Sequence, residues 1–338
     1  MKAMILKEFR ELRRDRRTMA MLIVMPIVLL VVFGYAADFT IDSITARVVG
    51  PQAEAAASVL PEPFEVVGVE ALTDTATAQT YLRDSKADVV IDTNTVPATA
   101  WIDGSSLFAA QGAASALARV PAEQLTVEVL YNPELTTAWV MVPALVGLIL
   151  TFIGTIITSI GLVRERQSGT LEQLAVMPLR PADVIVGKIA PYFVLAAIDM
   201  LIVTLLGVWI FDVPFVGNPW LFAAGGAIFL FVVLGLGVLI STASQTQAQA
   251  IQLAIMILLP QILLSGFIFP LDAMPEWIAT IGRLLPLTYF VQISQGIMLR
   301  GAGLNSLWPA FAVLVVMAVV IFTGAVLRFR RELAPGRR

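Results

Sequence analysis

The residue types that most enzymes use for catalysis are missing from this sequence. It contains no cysteine and no histidine, which excludes thiolate nucleophiles, histidine bases, disulfides and the common zinc sites. Ser85 and Lys86 are neighbours in the chain, so their side chains point in different directions and make a poor catalytic dyad. Four acidic residues lack the spacing of a calcium-binding loop: Asp84, Asp88, Asp92 and Asp103. We therefore expect neither a catalytic site nor a metal site.

A site for nucleotide hydrolysis is not indicated either. Gly187-Lys188 lacks the earlier glycine and the following hydroxyl residue of a phosphate-binding GxxxxGK(S/T) loop. Leu264-Ser265-Gly266 is similar to the opening of an ATPase signature, but it lies in an apolar run and the rest of the signature is missing. The chain is predicted to be no enzyme and to bind no cofactor.

The composition predicts which elements carry the few polar side chains. Hydrophobic residues make up 58% of the chain and charged residues only 14%, against about 25% charged in ordinary globular proteins. A membrane-spanning helix needs about 20 apolar residues. Six runs are long enough, near 19–36, 138–163, 189–211, 219–240, 250–270 and 304–327. The fold class is therefore an α-helical integral membrane protein with six transmembrane helices.

Basic residues predict the orientation of these helices. Three stretches hold 16 of the 22 lysines and arginines, namely Lys2 to Arg17, Arg164 to Lys188 and Arg328 to Arg338. They fall on one side of the membrane if six spans alternate. Because cytoplasmic loops are enriched in Lys and Arg, we expect a multi-pass protein of the bacterial inner membrane with both termini cytoplasmic. The first run also has the form of a signal peptide with a cleavage edge at Tyr35-Ala36-Ala37.

The segment 37–137 is predicted to lie outside the cytoplasm. It carries 14 acidic and 4 basic residues, which is typical of a solvated surface and also compatible with attraction of cationic substrates. Its β-branched runs alternate with helix-compatible stretches, which indicates a small α/β domain. The expected strands are Ala46–Gly50, Phe64–Val69, Ala87–Asp92 and Ala98–Ile102, and the expected helices are Gln52–Leu60, Thr75–Asp84 and Ser106–Val120.

One expected cytoplasmic element precedes the first span, and another follows the second span. Residues 1–18 read as a basic amphipathic helix that lies on an anionic membrane surface or only sets the topology. In the second element, 165–178, Thr170 and Gln173 have the spacing of a capping box, and Pro178 suggests that a short helix ends there. Its small apolar face fits the groove of another protein, although an ordinary turn between spans has the same pattern.

Several of these motifs resemble a known family. The run ERQSGTLEQLAVMPLRPADVIVGKIAPY, from Glu165 to Tyr192, resembles the hallmark of ABC transporter type-2 permeases linked to drug, antibiotic and linearmycin resistance. Lys7-Glu8 with Arg14-Asp15 is similar to the N-terminal interfacial helix of that family. Its C-terminal pattern is matched by Leu264 to Pro270, Met274-Pro275, Pro286 to Tyr289 and Leu299-Arg300-Gly301.

The resemblance implies roles for particular residues. The coupling helix that docks on an ATPase would comprise Glu165, Gly169, Thr170, Leu171, Glu172, Gln173, Leu174, Met177 and Pro178. The interfacial helix would use Lys7, Glu8, Phe9, Arg14 and Asp15. The polar loop Ser241 to Gln249 would touch the ATPase or merely turn the chain.

An irregular segment, 271–300, interrupts the membrane region 138–328. Its prolines favour interfacial or re-entrant half-helices on the outer side. They would form an outer gate or a simple hydrophobic anchor, with gate residues Phe267, Phe269, Pro270, Pro275, Trp277 and Pro286. Residues 329–338 would be a cytoplasmic tail.

Asp199 is the only acid near the middle of a predicted span. A carboxylate at that depth costs at least about 2.5 kcal/mol, so we expect it to face protein or water. It would contact substrate or couple protons, or it would hydrogen-bond between helices.

By resemblance, the chain is expected to be the permease of an exporter for amphipathic or hydrophobic molecules. Its partners would be two copies of a cytosolic ABC ATPase, a second permease copy in a homodimer, and the lipid bilayer, with no nucleic acid. One alternative is the export of a lipid-linked glycan by the same machinery. Another is a membrane-anchored receptor or hydrolase that acts through the external domain.

Overall fold

The computed structural model of the chain describes residues 43–121, 123–168 and 181–333. Among these residues, five helices are long and apolar enough to cross a membrane: Thr137–Gln167, Ile189–Phe211, Pro219–Ala243, Gln247–Leu264 and Leu304–Arg328. They coincide with the second to sixth predicted spans. The first predicted span, 19–36, and the predicted interfacial helix, 1–18, lie outside the described residues.

Residues 44–130 form a small α/β domain around one five-stranded sheet. Its strands are β1 (Ile44–Val49), β2 (Phe64–Glu70), β3 (Val89–Asp92), β4 (Ala98–Asp103) and β5 (Leu125–Leu130). Their spatial order is β2-β1-β3-β4-β5. β1 is parallel to β2 and β3, β4 is antiparallel to β3, and β5 is parallel to β4. The first four strands overlap the expected runs, whereas β5 was not expected.

Three helices cover the two faces of this sheet: α1 (Ala53–Val59), α2 (Thr75–Arg83) and α3 (Leu107–Leu117). Successive residues of a strand point to opposite faces. Val89 accordingly packs with α1 and α3, and Val90 packs with α2 on the other face. Asp74 caps α2 by accepting a hydrogen bond from the backbone N–H of Thr77.

The strand directions place both ends of the domain at one edge of the sheet. β1 begins at the edge where β4 and β5 end, because β4 and β5 run opposite to β1. The chain therefore enters β1 and leaves β5 on the same side, and residues 131–136 lead directly into the first described membrane helix.

The remaining helices form the membrane bundle: α4 (Thr137–Gln167), α5 (Pro181–Phe211), α6 (Pro219–Ala243), α7 (Gln247–Leu264), α8 (Glu276–Gly282), α9 (Pro286–Met298) and α10 (Leu304–Leu333). α6 packs against both α4 and α10. A side chain at Gly237 of α6 would place its Cβ 2.8 Å from the Cβ of Thr158 on α4. Small residues therefore allow these two helices to approach closely, as at other membrane helix interfaces.

The fifth predicted span ends earlier than expected, at Leu264 rather than near 270. Gly266 adopts a left-handed backbone with φ of +81°, a conformation that glycine adopts without steric cost. A 3₁₀ turn at Leu271–Ala273 and the short helices α8 and α9 follow. Neither α8 nor α9 has the roughly 20 residues needed to cross a membrane.

Candidate functional site

The C-terminal end of α4 is bound to the loop between α6 and α7. The Arg166 guanidinium donates a 2.8 Å hydrogen bond to the Ser244 carbonyl. The Gln167 side-chain amide donates to the Gln245 carbonyl at 3.4 Å and accepts from the Gln247 amide at 3.2 Å. Two of the elements expected near an ATPase, the end of α4 and the polar loop, thus lie side by side. Of the predicted coupling residues only Glu165 lies within the described residues.

The segment 271–300, which we call the outer segment after its predicted location, is held together by hydrogen bonds between α8 and α9. The Thr288 hydroxyl donates to the Gly282 carbonyl and the Tyr289 hydroxyl to the Arg283 carbonyl, both at 2.6 Å. Arg283 and Glu276 form an exposed ion pair at 2.7 Å. α9 itself is buried among the bundle helices, where Phe290 stacks on Phe229 with ring centroids 4.5 Å apart. The segment therefore combines an exposed short helix with a buried one.

The predicted gate residues divide between buried and exposed positions. Phe269 is buried with Leu264 and Ile278, and Pro286 is buried at the start of α9. Phe267 is half-buried against the main core of the bundle. Pro275 and Trp277 are exposed at the start of α8, and Pro270 is half-buried before the 3₁₀ turn. The structure thus brings Phe269 into the α7–α8 core and leaves Trp277 on the surface.

Asp199 lies within α5 at the boundary between the packed and the exposed side of the helix. It is half-buried, whereas Met200 beside it is buried and Ile198 is exposed. Among the described residues it makes no ion pair. Its assignment as a functional or a structural residue stays a prediction.

A polar junction joins the α/β domain to the membrane bundle. We use this name for Asp103, Ser105 and Arg300 together with Asn132 and Thr136. Asp103 ends β4 and is buried, with its side chain 3% exposed, and Arg300 follows α9 with its side chain 11% exposed. Their carboxylate and guanidinium groups form an ion pair at 3.4 Å. The same guanidinium nitrogen donates to the Ser105 hydroxyl at 3.1 Å.

The second half of the polar junction fixes the start of α4. Asn132 is fully buried, and its side-chain amide donates to the Gly104 carbonyl at 3.3 Å and to the Thr136 carbonyl at 3.1 Å. Its side-chain oxygen accepts from the Thr136 backbone N–H at 2.8 Å. A Cβ at Gly104 would lie 2.7 Å from the Leu130 carbonyl oxygen, so only glycine fits there. The Asn132 side chain therefore joins the domain to the start of α4 by hydrogen bonds to backbone groups of both.

Burial governs the ionisation of the acidic groups in the polar junction. Desolvation raises the pKa of Asp103, although the nearby Arg300 charge and hydrogen bonds from Ser105 act in the opposite direction. Neighbouring Tyr131 has its pKa raised to about 12, chiefly by burial and then by the Asp103 charge. Removing a carboxylate from water is costly unless it is paired and hydrogen-bonded. The charged form of Asp103 therefore depends on Arg300 and Ser105.

Comparison with known proteins matches nearly the whole chain to one family. The family model described as ABC-2 family transporter protein covers residues 16–327. The chain belongs to the ABC-2 transporter family. This ABC-2 protein is a multi-pass membrane transport protein of the permease type, and its family implies a partnering ATPase subunit.

Curated relatives of this ABC-2 permease are similar over most or part of its length. The probable multidrug ABC transporter permease YbhR of Escherichia coli (strain K12) is 29% identical over 362 residues, which cover 97% of this chain and 98% of the relative. The inner membrane transport permease YhhJ of the same strain is 34% identical, over 63% of this chain and 57% of the relative. ABC transporter G family member 20 of Dictyostelium discoideum is 30% identical, over 60% of this chain and 28% of the relative.

The sequence-based reasoning missed the polar junction of this ABC-2 permease. Asp103 was weighed only as a calcium ligand, Arg300 only as part of a family motif, and Asn132 not at all. One signal was present, because only two basic residues between 137 and 328 lie outside the predicted cytoplasmic clusters, namely Arg283 and Arg300. A charge at the edge of a membrane region needs a partner. The sheet topology, which brings Asp103 to that edge, was required to identify it.

Proposed function

We propose that this chain is the permease subunit of an ATP-driven exporter for amphipathic or hydrophobic molecules such as drugs, antibiotics or lipids. The names of the multidrug relatives support this class of substrate. The substrate would leave the cytoplasm or the inner leaflet of a bacterial inner membrane. The α/β domain would lie outside the cytoplasm and both termini inside.

The observation that supports this proposal best is the contact between the end of α4 and the α6–α7 loop. Arg166 and Ser244 are joined by a 2.8 Å hydrogen bond, so the end of α4 and the α6–α7 loop together form one surface at this end of the bundle. The predicted coupling helix, 165–178, begins within this surface. Docking of an ATPase there would act on α4, α6 and α7 together.

In the proposed mechanism, ATP and Mg²⁺ are bound by two ATPase subunits and the permease forms a homodimer. Closure of the ATPases on ATP would press on Thr170–Met177 and on the N-terminal helix. α4 would carry this motion across the membrane, because it packs against α6, α7 and α9 along its length. α8 and α9 would then form or release the outer gate.

Glycan export by the same machinery remains the second candidate. The large α/β domain argues against it, since glycan exporters of this type tend to lack one. Transport of a fluorescent amphipathic dye and of a lipid-linked glycan into the same vesicles would separate the two substrate classes.

The first test is co-purification of an ATPase with the tagged permease in mild detergent. Glu172→Arg and Leu174→Asp should abolish co-purification and the stimulation of ATP hydrolysis, because the first reverses a charge and the second places a charge on the apolar face of the proposed docking helix. Matched controls are Glu54→Arg and Leu72→Asp, which make the same changes at exposed positions of the α/β domain. Unchanged ATPase binding by the Glu172 and Leu174 variants would contradict the docking assignment.

A further inference from the structure

The polar junction contains the ion pair that ties the α/β domain to the end of α9. Among ion pairs between described side chains, only Asp103–Arg300 joins the domain to the bundle, since the others lie within the domain or within the outer segment. The Asp103 carboxylate is also held by contacts that do not involve Arg300. Its other carboxylate oxygen accepts hydrogen bonds from the backbone and the hydroxyl of Ser105, at 2.9 and 2.6 Å.

Arg300 extends from a loop that has little freedom of its own. The Ala302 backbone N–H donates to the Gly296 carbonyl at 2.8 Å, and the Val216 N–H donates to the Met298 carbonyl at 3.0 Å. Gly301 takes a left-handed backbone, with φ of +62°, that turns the chain into α10. The position of the guanidinium is therefore set by the buried end of α9.

The Asp103–Arg300 ion pair depends on the relative orientation of its two groups. A guanidinium presents a planar fork of N–H donors, and here one nitrogen contacts both the Asp103 carboxylate and the Ser105 hydroxyl. Breaking one side of a buried ion pair leaves the other charge without compensation, which is strongly unfavourable. A change of angle between the domain and α9 would separate Asp103 from Arg300 and would leave both charges without compensation.

We propose that Arg300 is a positioning residue that locks the orientation of the α/β domain to α9, so that the domain and the outer segment move as one body. The Asn132 contacts attach the domain to α4, and Arg300 adds the second attachment point that removes rotation about the first. Movement of α9 would thereby reorient the sheet. This role does not depend on the identity of the substrate.

Distances between pairs of spin labels can test this role in the full-length protein. The chain has no native cysteine, so cysteine pairs can be introduced without background. Labels at Gln111 on α3 and Thr280 on α8, both exposed, report on the domain relative to the outer segment. Labels at Gln79 and Gln111 span the sheet from α2 to α3 and report on the domain itself.

We expect Arg300→Gln and Asp103→Asn to broaden the Gln111–Thr280 distance distribution about twofold, because the remaining connection acts as a short linker. Asp103→Asn retains an acceptor for Ser105 and removes only the charge that holds Arg300. The Gln79–Gln111 distribution should not change. Arg300→Lys, which keeps the charge, should restore much of the narrow distribution.

Arg283→Gln is the matched control, because it breaks the exposed Arg283–Glu276 pair within the outer segment. It should leave both distributions as in wild type. Wild-type widths in Arg300→Gln and Asp103→Asn would overturn the proposal. Equal broadening of both label pairs would also overturn it, since that would indicate a damaged domain rather than a released one.

Discussion

The central and the peripheral helices of the bundle differ sharply in how much of their apolar surface is covered. In the most apolar stretches of α4 and α6, 50% and 61% of the residues are buried, against 22% in α5 and 17% in α10. All four helices are similarly apolar. The difference therefore arises from position in the bundle and not from composition.

The uncovered side of α5 is continuous along the helix. Its exposed apolar residues recur at helical spacing: Val194, Leu195, Ile198, Leu201, Ile202, Leu205 and Leu206. A soluble protein rarely exposes an apolar patch of this extent. The exposed faces of α5 and α10 therefore require lipid or another protein as a neighbour, whereas α4 and α6 pack mainly against other helices of the chain.

The largest effect is expected where the central helices touch. Gly237→Leu would drive a side chain into α4. Even a Cβ at this position would lie only 2.8 Å from the Thr158 Cβ and 3.0 Å from the Thr155 carbonyl oxygen. Overpacking typically costs about 1–3 kcal/mol, and more where backbone blocks relaxation. We expect loss of the folded protein, measured as the monodisperse fraction after solubilisation. Gly187→Leu is the control, because no atom lies within 4 Å of a Cβ there.

A smaller loss is expected for Phe229→Ala in α6. The substitution removes the stacking partner of Phe290 and leaves a cavity between α6 and α9. Cavity formation should destabilise the protein by about 2–4 kcal/mol. This lies at the lower end for phenylalanine, because in a membrane the unfolded chain also surrounds the side chain with apolar lipid. Thermal unfolding in detergent would measure it. A decrease in unfolding temperature no larger than that of a peripheral substitution such as Leu201→Ala would contradict the central position of α6.

The polar junction provides a test that depends on pH. Burial raises the pKa of Asp103 above its ordinary value of 3.8, so the folded state holds this proton more tightly than the unfolded state does. The resulting stabilisation is complete below pH 3.8 and is lost as the pH rises through the raised pKa. Asp103→Asn should therefore reduce the decline of the unfolding temperature as the pH is raised from 3.8.

Asp74→Asn should show the opposite pH dependence and so serves as its control. A hydrogen bond from Thr77 lowers the Asp74 pKa below 3.8. The stabilisation by Asp74 is present above pH 3.8 and is lost as the pH falls through the lowered pKa. If both variants changed the pH dependence of the unfolding temperature in the same direction, the buried Asp103 carboxyl would not be the cause of the change in Asp103→Asn.

The smallest effect is expected at the periphery, for Leu201→Ala in α5. Leu201 is exposed, and lipid or detergent chains replace the contacts that its side chain loses. The change in unfolding temperature should correspond to less than about 0.5 kcal/mol. A large loss would show that this face is covered in the assembled protein, and dependence of that loss on protein concentration would identify a second copy as the neighbour.

The sequence predicted those elements whose pattern is local. Long apolar runs and β-branched runs between turn residues mark five described spans and four strands because their periodicity lies within each segment. β5 was missed, although Leu125–Leu130 alternates apolar and polar residues as a half-buried strand does, and Pro121 separates it from α3. The end of α7 at Leu264 was missed because the apolar run continues past Gly266.

The polar junction could not be predicted because its members are distant in the chain. Asp103 and Arg300 are 197 residues apart, and only the antiparallel step from β3 to β4 brings Asp103 to the edge that faces α9. The contact between Arg166 and Ser244 spans 78 residues and has no sequence signature either. Local patterns thus identify elements, whereas the contacts between them depend on tertiary structure.

The chain enters β1 and leaves β5 at one edge of the sheet, which makes the α/β domain exchangeable. A different domain could replace residues 44–130 without altering the path of any described membrane helix, provided that its two ends are similarly close. Such a replacement would still need a carboxylate near Arg300 in place of Asp103 and a backbone carbonyl near the retained Asn132 amide in place of that of Gly104. These two requirements define the attachment rules for designing chimeric permeases with new outer domains.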